Sequence, residues 1–185
     1  MPVRELNVSM TSIDGDRFAS ASFHGTADSV LYVYGRDSID EYLKLLDRTS
    51  YESGELGENI TLDAFNESAV SVGDRFQIGD VVAEATFPRI PCAKVNIRMA
   101  HPLGQKAMID VKKSGVYLRI IKPGVITMRS SFERISKSPA PFSIADVYEH
   151  MVGGAKVTRH VFDRAVANGA FPADRLAKWA KLLSD

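Results

Sequence analysis

Two apolar rhythms divide this chain, and the change between them limits what it can fold into. Up to about residue 135, apolar residues come in short β-branched and aromatic runs between glycine and proline turns. Ser29-Val30-Leu31-Tyr32-Val33-Tyr34 reads as a strand. So do the runs within residues 69–87, where Gly73-Asp74 and Gly79-Asp80 mark turns. Two more strands, 116–121 and 125–128, flank the turn Lys122-Pro123-Gly124. One amphipathic helix interrupts them over 37–48, with Ile39, Tyr42, Leu43 and Leu46 on one face and Asp37 or Ser38 as its cap. Residues 95–113 are ambiguous between helix and irregular structure. Many short strands with few helices predict a mainly β fold, a closed or sandwiched β architecture with one or two helices attached.

After Pro141 the spacing is helical. Ser143, followed three residues later by Asp146, opens a first helix striped by Ile144, Val147, Tyr148 and Met151 and ended by Gly153-Gly154. Val161, Phe162, Ala165 and Val166 stripe a second, closed by Asn168-Gly169. Pro172 opens a third, with Leu176, Trp179, Ala180 and Leu183 on one face. Three short helices bury too little alone, so they dock on the β body or on another subunit in a homodimer. This gives a β domain over 1–138 and a helical extension over 139–185, with a proline-containing linker at 136–142.

The 185 residues are 45% apolar and 25% charged, which fits a globular chain. Lys plus Arg and Asp plus Glu number 23 each, so the charge balance gives no sign of a nucleic-acid or anionic-membrane surface. A single cysteine excludes an internal disulfide framework. Residues 1–10 lack an apolar signal core, and no run approaches the roughly 20 apolar residues of a membrane span. The expected location is cytoplasmic.

That cysteine is Cys92, in Phe87-Pro88-Arg89-Ile90-Pro91-Cys92-Ala93-Lys94. Two prolines stiffen the approach to the thiol and disfavour helix. Arg89 and Lys94 flank it, and nearby cations favour the thiolate, the form that binds metals and attacks electrophiles. Two readings stand at this level: a reactive cysteine, or a small buried apolar residue.

Taken in order, several motifs resemble a known family. Gly57-Glu58-Asn59-Ile60, Val72-Gly73-Asp74, Ile78-Gly79-Asp80 and Pro88-Arg89-Ile90-Pro91-Cys92-Ala93-Lys94 are similar to the MOSC domain, named for the C-terminal part of molybdenum cofactor sulfurases. His24-Gly25 resembles the family's upstream histidine-glycine element, although Thr26 stands where a second glycine is usual. Gly115-Val116-Tyr117-Leu118-Arg119 resembles its later aromatic strand, and the tail from Phe142 resembles the three-helix extension of the YiiM-type branch. Many YiiM-type chains also carry extra residues ahead of the first core strand.

The resemblance implies a closed β-barrel-like MOSC domain that binds the molybdenum cofactor, a molybdopterin, with Cys92 as central residue and metal ligand. A thiolate is a soft donor suited to a metal already held by dithiolene sulfurs. The cofactor's phosphate needs cations and backbone N–H groups, for which Arg89, Lys94 and Arg119 are candidates by proximity. Glu58 and Asn59, in a glycine-containing turn, and His24 complete the candidate cofactor-binding set, each equally suited to a structural role. Asp74 and Asp80 read as turn residues.

Three functions follow. The first is a small oxidoreductase that reduces N-hydroxylated compounds to amines, fed by an electron-donor protein, since the chain has neither a dinucleotide-binding glycine motif nor an iron–sulfur cysteine set. The second is a sulfur carrier or sulfurtransferase with a persulfide on Cys92, without the pyridoxal phosphate domain of the large sulfurases. The third is a non-catalytic cofactor-binding protein.

Overall fold

The computed structural model describes residues 3–16 and 26–184. Strand β1 (Glu5–Val8) pairs antiparallel with β7 (Gly124–Thr127) in a small two-stranded sheet. The main sheet has six strands in the order β3 (Ile60–Leu62), β2 (Leu31–Gly35), β6 (Val116–Lys122), β5 (Val81–Pro88), β4 (Arg75–Ile78) and β8 (Phe132–Ser136). All neighbours are antiparallel except β2 and β3, whose connection carries α1 (Arg36–Leu45). Register shifts at Arg75/Phe76, Val82/Ala83 and Ala85/Phe87 mark bulges that bend the strands, and the sheet curls over its core.

Two expectations change. The fold is mixed α/β rather than mainly β, because residues 94–111 hold two helices, α2 (Lys94–Arg98) and α3 (Gly104–Val111), beside α1. The six-stranded sheet is also not shown to close: among the described residues β3 and β8 are its two edges. β3 has only three residues, and β8 is exposed along most of its length, both ways of blunting a sheet edge.

The cap of α1 also differs. Gly35 is its N-cap, Asp37 sits in the first turn where a carboxylate complements the helix dipole, and Ser38 is buried, donating to Glu67 at 3.3 Å. The helices of the tail start and stop as expected: Ser143 accepts from the Asp146 N–H to cap α4 (Ile144–Met151), and left-handed Gly169 ends α5 (Arg159–Asn168). α6 (Ala173–Leu182) follows Pro172.

The inward row of the sheet, including Leu31, Val33, Ala83, Ala85, Leu118 and Ile120, forms one apolar cluster with Phe142, Val147, Ala165, Phe171 and Trp179 of the extension. The three tail helices therefore dock on the chain's own β body. Asp74 does more than turn the chain. Its buried carboxylate accepts from Ser71 N, Ser138 N and Arg134 Nη1 at 3.1, 2.8 and 2.9 Å, which fastens the linker to the start of β4. A second cluster, including Tyr32, Tyr34, Tyr42, Leu56, Val95 and Met108, fills the space between β2, α1, α2 and α3. No described helix is long and apolar enough to cross a membrane.

Candidate functional site

The second cluster backs the segment that carries Cys92. Pro88 ends β5, and from there the chain is held on both sides. Arg89 N donates to the Gly115 carbonyl at 3.3 Å, Ser114 Oγ donates to the Arg89 carbonyl at 2.6 Å, and Gln105 Nε2 donates to the Pro91 carbonyl at 3.2 Å. The Cys92 carbonyl accepts from Val95 N at 2.9 Å in the turn that leads into α2. Proline rigidity and these four bonds fix where the thiol stands. Cys92 is half-buried, neither sealed in the core nor loose on the surface.

An aromatic row runs beside it. Tyr32 on β2 pairs with Tyr117 on β6, and Tyr117 pairs with Phe87 on β5. Their ring centroids lie 5.1 and 5.3 Å apart. The Arg89 guanidinium sits 5.0 Å from the Tyr32 ring at one end, and the Arg175 guanidinium of α6 sits 4.7 Å from the Phe87 ring at the other. Cation–π contacts of this kind contribute about 0.5–2 kcal/mol each, more as water is excluded.

Cys92 is electrostatically coupled to two members of this arrangement. The Tyr117 hydroxyl is pushed up by burial, pulled back by Arg89 and Arg175, and pushed up further by Cys92. Burial opposes the charge on Arg89, but Tyr32, Tyr117 and Cys92 together outweigh it and hold its pKa above the ordinary value.

The loop before β3 closes one side. Gly57 has φ +86°, a conformation that disfavours a side chain, and a Cβ there would lie 3.3 Å from Arg98 Nη1 and 3.4 Å from Arg89 Nη1. Arg89 Nη1 donates to the Leu56 carbonyl and Arg98 Nη1 to the Gly54 carbonyl at 3.3 Å. Two guanidiniums therefore close over a glycine, where the lack of a side chain lets them approach the loop backbone. Such a cradle suits an oxyanion such as phosphate.

The other sequence candidates are distributed unevenly. Glu58 is buried inside the loop, where Oε1 accepts from Gly54 N and Thr61 Oγ1 and Oε2 has no partner among the described residues. Asn59 is spent on the backbone of Tyr32: its Oδ1 accepts from Tyr32 N at 2.8 Å, while Nδ2 donates to Asp16 at 3.2 Å. Lys94 is exposed at the start of α2, next to the cysteine turn. Arg119 donates from Nε to Glu84 and from Nη1 to Asp28, each at 3.0 Å, and from Nη2 to the Ala170 carbonyl. That commits it to joining the sheet to the extension. His24 lies outside the described residues.

Sequence reasoning missed Arg98 and Arg175. Arg98 had a weak local signal, one helical turn after Lys94, but nothing in the sequence ties Arg175 to Cys92. No group of three or more His, Cys, Asp or Glu side chains is placed to hold a metal ion among the described residues. A metal at Cys92 would take its other donors from a bound cofactor. A thiol beside an oxyanion cradle and an aromatic row fits a sulfur-rich, phosphate-bearing metal cofactor.

Known proteins bear on this geometry. The family model for the MOSC domain matches residues 20–131. The Escherichia coli protein YiiM is 30% identical over 139 residues, covering 72% of this chain and 60% of that protein. A Gibberella moniliformis protein named Reductase is 28% identical over 142 residues, covering 75% of this chain and 25% of its own length. The chain thus spans about a quarter to three fifths of the relatives it matches. The crystal structures of YiiM from Geobacillus stearothermophilus and from Escherichia coli both superpose with a TM-score of 0.79. They are 24% and 21% identical, covering 86% and 97% of this chain and 80% and 85% of theirs, and they speak to the fold alone.

Proposed function

The chain belongs to the MOSC domain family, in its YiiM-type branch, and on that premise we propose that it binds the molybdenum cofactor through Cys92 and reduces N-hydroxylated compounds to amines. The observation that carries this reading is the half-buried Cys92 thiol on a proline-stiffened segment whose backbone is hydrogen-bonded from Arg89 to Val95. A relative named Reductase supports the redox part.

When bound, the cofactor supplies the redox chemistry. The chain's own residues do the rest. Cys92 gives a soft sulfur donor from a backbone that cannot drift. Arg89 and Arg98 hold the phosphate over Gly57. Tyr32, Tyr117 and Phe87 form a mutually tilted, largely buried aromatic row that excludes water behind the site. Tyr117 keeps its proton and can donate a hydrogen bond to the departing oxygen. The conversion of R–NHOH to R–NH2 and water takes two electrons and two protons, so an electron-donor protein is required.

The test is expression in a host that makes the cofactor, followed by molybdenum and pterin analysis and turnover of a hydroxylaminopurine with a chemical reductant. One molybdenum and one pterin per chain, with amine formed, is the expected result. Metal-free protein from such a host would overturn the reading, and cyanide-labile sulfur on Cys92 would point to sulfur transfer instead.

A further inference from the structure

Arg175 belongs to the helical extension, yet it stands at the end of the aromatic row. Its place is fixed by the docking of α6. Trp179, one turn later on the same helix, is 4% exposed and packs on Phe171 with ring centroids 4.8 Å apart. Over the Phe87 ring, the guanidinium keeps its Nε shielded from solvent without a hydrogen-bond partner among the described residues. The nearest carboxylate, on exposed Asp174, is 3.5 Å away and not aligned to accept. A shielded, unsatisfied donor costs about 1–3 kcal/mol, and a cation's donor more, so such a group normally has an acceptor. Arg89 and Arg98 each give one N–H to a loop carbonyl and keep others for the cradle over Gly57, whereas Arg119 is committed to two carboxylates and a carbonyl.

We propose that Arg175 binds an oxyanion, phosphate or carboxylate, on the molecule that occupies the Cys92 site, so that the helical extension adds a cation to the site carried by the sheet. The inference rests on the reading of Cys92 given above. The oxyanion has two sources, the cofactor or the substrate. Loss of a hydrogen bond to a charged group weakens binding roughly tenfold or more.

The test begins on the full chain prepared without cofactor. Shielded arginine Nε–H groups give resolved NMR signals, and the Arg175 signal is assigned by its loss in Arg175→Lys. Titration with inorganic phosphate should move that signal saturably and leave the Arg119 signal, already paired with Glu84, in place. In the loaded protein, Arg175→Gln should lower pterin and molybdenum retention if the cofactor is the source. If the substrate is the source, retention holds, and KM rises about tenfold for an anionic hydroxylamine but not for a neutral one. An Nε–H signal unmoved by phosphate, with retention and KM unchanged, would overturn the proposal. If the wild-type protein carries no molybdenum, the reading of Cys92 fails, and the phosphate titration still decides the role of Arg175.

Discussion

Asn59 stands in for a strand beside Tyr32. Its side-chain Oδ1 accepts from the Tyr32 N–H at 2.8 Å, while its own N–H donates to the Tyr32 carbonyl at 2.9 Å. Both backbone groups of Tyr32 are satisfied by one residue just ahead of β3, and the ring that carries Arg89 is held in register.

Asn59→Ala should therefore act through Tyr32. It leaves a shielded N–H unpaired, which costs about 1–3 kcal/mol. We expect a lower Tm and poorer cofactor retention together. Asn59→Asp keeps an acceptor for Tyr32 N but faces Asp16 with a like charge, so its loss should shrink as salt is raised. Chemical denaturation and pterin content in low and high salt check both variants.

What the sequence revealed, and what it hid, follows from locality. Strands β2, β6 and β7 and helices α1, α4, α5 and α6 carry regular apolar spacing, and the Ser143 cap and the Gly169 stop are local chemistry. Cys92 was conspicuous because two prolines and two cations surround it in sequence. β8 was not, because an edge strand with exposed Ile135 lacks a buried face to impose alternation. α2 and α3 are short, and they begin without a side-chain cap. Whether the sheet closes depends on pairing between strands far apart in sequence. The same holds for the approach of Arg175 to Phe87.

Cys92→Ala should separate binding from folding. The side chain is half-buried and has no hydrogen bond among the described residues, so a methyl group costs little, about 1 kcal/mol or less. Molybdenum content should fall to background while the Tm holds. Full metal content in Cys92→Ala would remove the thiolate from the ligand set.

Gly57→Ala should injure the cradle without touching either arginine. The φ of +86° strains an L-residue by about 1–2 kcal/mol, and the new methyl carbon would press on both guanidiniums. Cofactor retention should drop further than the stability loss explains. Pterin per folded protein, measured after gel filtration, reads this directly.

Glu67 makes stability fall as the solution goes from mildly acid to neutral. Burial raises its carboxyl to about 7, only partly opposed by hydrogen bonds from Gly35 N and Ser38 Oγ and by the charge of Lys113. An acid whose folded pKa lies above its unfolded value holds its proton longer when folded. Stability is then fullest below about pH 4.5 and is lost as pH climbs through 7, by about 3 kcal/mol. Glu67→Gln should match wild type near pH 5 and exceed it at pH 8. Denaturant midpoints at the two pH values provide the check.

The last prediction concerns the helical extension. Phe142 is fully buried, its ring 6.0 Å from that of Phe171 and 6.2 Å from that of Trp179, with the Arg164 guanidinium 4.8 Å from its centre. It lies in the same apolar cluster as Leu118 and Ile120 of the sheet. Phe142→Ala should cost about 3–5 kcal/mol. Because the cluster is continuous, the loss should spread through the whole chain rather than release the tail alone. Trp179, the sole tryptophan, reports on the extension, and far-ultraviolet circular dichroism reports on all elements. The two curves should share one midpoint, in wild type and in Phe142→Ala alike. If Trp179 fluorescence changed well before the circular dichroism, the extension would be a separate cooperative unit, and Arg175 would leave the aromatic row before the sheet unfolds.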